Sequence, residues 1–211
     1  MLKLYTVNNE YLNFLYNVDK RVSLKTTRPY IGIVLKINDH VYFAPMSSKK
    51  SKNNQMTVLL NSSNAGTIKL NNMIPVEMSL LNLIDINNQD KNYMLLLQKE
   101  VIEINEKEKI VLNKARNLFN LVETKKNEKL LSFCCDFKVL EKVKDIYIKS
   151  MLHEFDPYKV FLIDQIKDDP TGLEEVINDL KEEGYSNEDI NELLEFAQVD
   201  YEIKQIKEYI R

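Results

Sequence analysis

Ile31, Ile33, Leu35 and Ile37 alternate with Gly32, Val34 and Lys36. That period of two is the pattern of a strand with one face in a core. Asn38-Asp39 follows, and both residue types tolerate the positive backbone angles that a two-residue hairpin turn requires. A second apolar run, Val41-Tyr42-Phe43-Ala44, completes the hairpin and is expected to stop at or near Pro45, which cannot donate to a ladder. Beyond it, Met46-Ser47-Ser48-Lys49-Lys50-Ser51-Lys52-Asn53-Asn54 reads as a polar, cationic loop held on a rigid hairpin. Loops on such scaffolds are where binding and chemistry concentrate.

The rest of the first half keeps to short strands. Residues 2–7 read as one, and Asn8 or Asn9 then caps a helix whose Tyr11, Phe14, Leu15 and Val18 recur at helical spacing. Residues 19–29 form a polar loop rich in Lys, Arg and Thr. Strand pieces are expected at 56–60, 68–70 and 73–76, and 80–84 continues the apolar run. The period changes after that. Tyr93, Leu96, Leu97, Val101 and Ile104 mark one helix, and Ile110, Leu112, Ala115, Leu118, Phe119 and Val122 a second. Phe137, Leu140, Val143, Ile146 and Tyr147 mark a third, capped near Asp136. Asp156-Pro157 and Asp168-Asp169-Pro170 punctuate the approach to a tail whose segments 173–180, 190–196 and 201–210 are short amphipathic helices, with Gly184 between the first two. The order implies an α+β fold, antiparallel strands first and helices after.

Charge divides the chain in the same direction. Residues 1–150 carry 23 Lys and Arg against 15 Asp and Glu, a net of +8, whereas residues 151–211 carry 6 against 17, a net of −11. A basic body attracts polyanions, and a phosphate backbone is the commonest of these. The acidic segment is either a helical extension that packs or mediates contacts, or a cover over the basic surface that restrains it. No apolar run reaches membrane-spanning length, so no membrane association is expected. Met1 leads straight into structured-looking sequence without a signal-peptide pattern. The two cysteines, adjacent at Cys134-Cys135, cannot make a disulfide framework and read as buried packing, which suits a reducing cytoplasm.

Several chemistries find no support in the residues. Gly32 and Gly66 stand alone, so no glycine-rich phosphate cradle is present. His40 and His153 are far apart and belong to no ligand-spaced cluster, and acidic residues of the first 150 positions form no set for a divalent ion. No metal and no cofactor is expected. Ser47, Ser48 and Lys50 remain, with Arg28 on the loop leading into the hairpin. Such groups suit RNA cleavage by the ribose 2′-hydroxyl, because cations and hydroxyl donors stabilise charge gathering on phosphoryl oxygens. From the residues alone the same segment also reads as a solvated loop. Tyr11 and Tyr30 read either as core or rim aromatics or as platforms for bases.

Leu4-Tyr5-Thr6 with Tyr11, then Arg28-Pro29-Tyr30-Ile31-Gly32-Ile33-Val34-Leu35, form the first part of a longer ordered pattern. It continues through Tyr42-Phe43-Ala44-Pro45-Met46-Ser47-Ser48-Lys49-Lys50, Met73-Ile74-Pro75-Val76, Ser79-Leu80-Leu81 and Phe133-Cys134-Cys135-Asp136-Phe137. In order and spacing these resemble the ToxN/AbiQ family of endoribonuclease toxins from type III toxin–antitoxin systems, over residues 1–150. The resemblance implies a compact, strongly bent antiparallel sheet or small β-barrel decorated with helices, with residues 151–211 left as an acidic helical extension. It implies metal-independent cutting of cellular or phage RNA to 2′,3′-cyclic phosphate and 5′-hydroxyl ends. It also implies inhibition by a small repeated antitoxin RNA that folds into pseudoknots, within a ring-like toxin–RNA assembly that serves phage defence. Carried over by position, Ser47, Ser48, Lys50 and Arg28 are the catalytic set. Tyr11, Tyr30, Lys49, Lys52, Lys114, Arg116 and Asn117 would face RNA. Two departures stand out: Lys49 replaces a common proline, making the loop less rigid and more cationic, and Asn53 stands where a histidine is often found. The alternative is a noncatalytic RNA-binding module using the same groove.

Overall fold

The hairpin forms because its apolar alternation and its turn residue agree. In the computed structural model, which describes residues 1–24, 30–49, 54–61, 66–124, 128–152 and 156–197, strand β2 (Ile31–Ile37) buries Ile33, Leu35 and Ile37 almost completely and exposes Lys36. It pairs antiparallel with β3 (His40–Ser47) from Gly32↔Pro45 to Ile37↔His40. Of the two turn residues only Asn38 takes a positive φ, 53°, a conformation that asparagine tolerates better than most side chains. Gly32 is required for a steric reason. A Cβ built there would lie 2.4 Å from the Ala44 carbonyl oxygen and 2.5 Å from the Phe43 ring.

Around this hairpin lie β1 (Leu4–Val7), β4 (Thr57–Leu59), β5 (Thr67–Lys69), β6 (Ile74–Pro75) and β7 (Leu81–Leu83). Among the described residues the strand order is β4-β5-β3-β2-β1-β7, with β6 also on β3, and every ladder is antiparallel. Strand β3 ends near Pro45, as expected, but passes through it to Ser47. The reason is a change of partner. On the side away from β2, β3 pairs with β6 through Phe43 and with β5 only from Met46. Pro45 falls between the two, where no ladder bond is asked of its nitrogen. The sheet therefore bends at β3 and carries Ser47 beside Thr67 of β5.

Helix α1 (Asn9–Val18) begins with the Asn8 side chain accepting from the Tyr11 amide, which satisfies one of the donors a helix start leaves open. Helices α2 (Lys91–Glu106) and α3 (Glu108–Glu123) follow the last strand, then the short α4 (Glu128–Leu131) and α5 (Phe137–Leu152). Helix α3 buries Val111, Ala115, Leu118, Phe119 and Val122. Phe119 and Phe137 stack at 5.7 Å between centroids, and Tyr42 meets each edge-on at 5.8 Å. The Tyr42 hydroxyl donates to buried Glu141 at 2.5 Å. Burial and that carboxylate both push the Tyr42 phenol well above its ordinary range, so it stays a neutral donor.

The chain divides into two compact units, Met1–Lys144 and Asp145–Arg211. The second contains α6 (Pro157–Ile166), α7 (Pro170–Glu182) and α8 (Asn187–Phe196) around its own core of Val160, Ile163, Leu173, Ile177, Leu180, Ile190, Leu193 and Leu194. Helix α6 corrects the sequence reading, which treated Asp156-Pro157 only as punctuation. Asp156 caps the helix by accepting from the Tyr158 amide, and Pro157 fills the first turn, where its missing N–H costs nothing. The helix expected at 201–210 lies outside the described residues. Among those that are described, no helix is long and apolar enough to cross a membrane.

Candidate active site

The bend in the sheet places a short polar segment at the end of β3. Ser47 is half-buried and registered against Thr67, and Ser48 and Lys49 are exposed. The Lys49 amide donates to Ser47 Oγ at 3.2 Å, and the buried Thr67 hydroxyl donates to the Lys49 carbonyl at 3.3 Å. Ser47 Oγ thus has an acceptor site in use, while its proton is left for another partner. Lys50, Lys52 and Arg28 lie outside the described residues.

A second set of contacts fastens the chain just ahead of β4. The Asn54 side chain accepts from the Met56 amide at 2.8 Å and from the Thr57 hydroxyl at 3.1 Å. From α3, Lys114 Nζ donates to the carbonyls of Asn54, at 2.9 Å, and Thr57, at 3.1 Å. Arg116 and Asn117 are exposed on that helix, but they do not share one direction. At 3.6 residues per turn, Asn117 lies on the side of Lys114 and Arg116 about 200° round from it. Sequence reading passed over Lys69. It pairs with Thr57 and, two positions from Thr67, shares the face to which Ser47 belongs. Burial lowers its basicity. Only the register, set by contacts distant in sequence, brings it here.

Two tyrosines depart from the expected role as base platforms. Tyr11 is 0% exposed, with its hydroxyl donating to the Pro75 carbonyl at 2.6 Å. Tyr30 is 3% exposed and packs against Phe43 at 5.5 Å, and burial raises its phenol far above the ordinary value. Neither ring offers a face to a base. Both belong to the core that holds the hairpin.

The segment that leads towards Arg28 has its own anchor, which sequence reading also missed. Buried Asp19 accepts from the Arg21 amide at 3.0 Å, from Arg21 Nε at 2.7 Å and from the Asp136 amide at 2.8 Å. Burial alone would raise this carboxyl, but those hydrogen bonds outweigh it and hold it below the usual range. Arg21 also donates to the Leu131 carbonyl at 3.0 Å, and its own carbonyl accepts from Asn72 at 2.8 Å. Cys134 and Cys135 are fully buried beside this network, and burial raises their thiols to about 11 and well beyond the ordinary range respectively. They are packing, not nucleophiles. Among the described residues, no group of three or more His, Cys, Asp or Glu could hold a metal ion.

Residues 3–145 match the family model described as toxin ToxN of type III toxin–antitoxin systems. The chain is 32% identical over 157 residues to the endoribonuclease ToxN of Bacillus thuringiensis subsp. kurstaki, covering 66% of this chain and 81% of that protein. Two solved structures share the fold. One, reported with selective toxin inhibition by a non-coding RNA pseudoknot, is 31% identical and superposes with a TM-score of 0.59 over 69% of this chain and 97% of the other. The other is AbiQ, a lactococcal anti-phage endoribonuclease of the type III class, at 26% identity and a TM-score of 0.63 over 71% and 99%. The family match ends ahead of α6, so α6 to α8 fall beyond it.

Proposed function

Because this chain belongs to the ToxN toxin family of type III toxin–antitoxin systems, we propose that it is an endoribonuclease whose reaction is run by the segment ending β3. The enzyme cuts RNA and is held in check by an RNA antitoxin, in a system that arrests growth to limit phage. Its natural place of action is the cytoplasm, where both RNAs are met.

In this reading the ribose 2′-oxygen attacks the adjacent phosphorus. A new O2′–P bond forms as the P–O5′ bond breaks, leaving a 2′,3′-cyclic phosphate and a 5′-hydroxyl. One proton leaves the 2′-hydroxyl and one reaches O5′. Charge gathers on the non-bridging oxygens, and preorganised donors aimed there lower the barrier. Ser47 and Ser48 supply hydroxyl protons, Lys50 and Arg28 supply fixed positive charge, and no metal ion is required of such a donor set. Lys49, Lys52, Arg116 and Asn117 hold flanking nucleotides. The antitoxin is a repeated pseudoknot RNA, and toxin and RNA close into a ring.

The observation that carries the reading is the pinning of Ser47 and Lys49 by Thr67 at the bend of a family-matched sheet. Ser48→Ala and Lys50→Ala test it, each assayed for cutting and for RNA binding with chelator present. Lost cutting with retained binding supports catalysis. A wild-type protein that binds RNA and never cuts it would instead be a noncatalytic module. Cyclic phosphate ends on the product and a closed RNA–protein complex in native mass spectrometry complete the test.

A further inference from the structure

The face of the sheet that carries Ser47 also carries a lysine. Thr67 lies opposite Ser47 across the β3–β5 ladder, and Lys69 stands two positions further along β5. Strand alternation sets Lys69 on the Ser47 face and Ile68, 0% exposed, on the core face with Met46 and Val58. We propose that Lys69 is a further catalytic residue: its ammonium gives O5′ the proton it needs as the P–O5′ bond breaks. The inference rests on the reaction assigned above to the end of β3, and supplies one of the two proton transfers left open there.

Reach, anchoring and chemistry agree on this residue. Diagonal neighbours across a ladder lie about 7–8 Å apart, a span that long side chains cross. The Lys69 stem can therefore bring its ammonium to a phosphate held at the Ser47 hydroxyl. Its backbone is fixed on both flanks: Ile68 and Leu70 are each 0% exposed, and the Leu70 amide donates to the Met56 carbonyl at 2.9 Å. The threonines of this face are weaker acids with set partners. The Thr67 hydroxyl donates to the Lys49 carbonyl at 3.3 Å, and the Thr57 hydroxyl to the Asn54 side chain at 3.1 Å. A hydroxyl gives up its proton far less readily than an ammonium. Lys69 is half-buried, open enough to meet a substrate, and burial lowers its basicity, so its proton leaves more easily. In the step, the O2′–P bond forms and the P–O5′ electron pair passes to O5′, which takes the Lys69 proton and departs as a 5′-hydroxyl. The 2′-hydroxyl proton passes to water, and the neutral amine regains one from water, so protons balance over the cycle.

Sulfur in place of the scissile O5′ separates this role from others, because a thiolate leaves without being protonated. The cut site is first mapped by sequencing the cut ends of a transcript pool. Short RNAs with oxygen or sulfur at that linkage are then given to wild type, Lys69→Met, Lys69→Arg and Ser47→Ala. Single-turnover rates are read at saturating RNA with chelator present. Lys69→Met keeps the packing of the stem and should lower the rate on the oxygen substrate about 10²- to 10⁴-fold, while cutting the sulfur substrate like wild type. Lys69→Arg keeps the charge but holds its proton too tightly to give it up, so it should show the same split. Equal losses on both substrates would mean that Lys69 acts by charge or packing alone, and would overturn the proposal. So would a wild-type rate on the oxygen substrate in either variant, with or without weaker RNA binding. Should Lys69→Met fail to fold, Lys69→Arg decides by the same comparison. Wild-type protein that cuts no RNA ends the nuclease reading and this inference together. If Ser47→Ala cuts like wild type while sulfur rescues Lys69→Met, the fault lies in the assignment of Ser47 and not in Lys69.

Discussion

Gly32→Ala puts a methyl group where the hairpin has no room. The new Cβ would stand 2.4 Å from the Ala44 carbonyl oxygen and 2.5 Å and 2.9 Å from two carbons of the Phe43 ring. Neither neighbour can step aside. Phe43 is 0% exposed, and the Ala44 oxygen is backbone in a strand paired on both sides of this point. Reaching the 3.0 Å floor of real Cβ contacts asks β3 to retreat by about 0.6 Å, against a strand spacing of about 4.8 Å. Overpacking of this kind costs about 1–3 kcal/mol, and the upper part of that range applies because one clash is with backbone. The retreat also moves Ser47, three residues further along β3. Since a misplacement of about 1 Å can cost 10²-fold in rate, cutting should fall about 10- to 100-fold in protein that is still folded. Urea unfolding followed by tyrosine circular dichroism reads the first effect, and single-turnover cleavage well below the midpoint reads the second. Gly184→Ala is the control. There φ is +95° with no atom within 4 Å, so a backbone strain of about 1 kcal/mol and unchanged cutting are expected. Should Gly32→Ala unfold within about 0.5 kcal/mol of wild type and cut at the wild-type rate, the steric account of the hairpin is refuted.

Tyr42→Phe keeps both edge-on ring contacts and strips one hydroxyl from Glu141, so stability should drop by about 1.5–3 kcal/mol. A double-mutant cycle with Glu141→Gln that returns no coupling would show the bond to be idle. Because the folded Asp19 carboxyl is held below its ordinary value of 3.8, its contribution is complete above that value and disappears as pH falls through the lowered one. Asp19→Asn should therefore flatten the acid limb of stability against pH, and an unaltered limb counts against this. Replacing Glu174, Glu175, Glu182, Glu188, Glu192 and Glu195, all exposed on α7 and α8, by Gln removes much of the negative field of the second unit without touching its core. RNA affinity should rise severalfold at low salt and converge with wild type at high salt; equal affinity throughout would mean that the field does not reach the RNA.

The hairpin was legible because local chemistry decides it: alternation sets the faces of β2, and Asn38 supplies the turn. Pro45 marks the end of β3 to within two residues, but its place inside the strand is not legible: the rule against proline in a strand assumes one continuous neighbour, and only the fold reveals that β3 exchanges β6 for β5 there. The helical spacing of Tyr11 told of an apolar face, yet could not tell a base platform from a core ring. The Pro75 carbonyl 64 residues away decides that. Lys114 shows the same limit, since a lysine exposed to RNA and one directed at carbonyls 57 and 60 residues distant have the same sequence pattern. Cys134 and Cys135, with no histidine near them, were readable as packing.

The anchoring of Asp19 by the Asp136 amide and of Tyr42 by Glu141 bears on how the chain leaves the ribosome. The strands around Ser47 are synthesised first, but the groups that brace Asp19 and Tyr42 come from residues 136–141, near the end of the first unit. A nascent chain that has emerged only through β7 has its serines and lysines without those braces. The sheet thus gains its last braces late in translation, after most of the first unit is already outside.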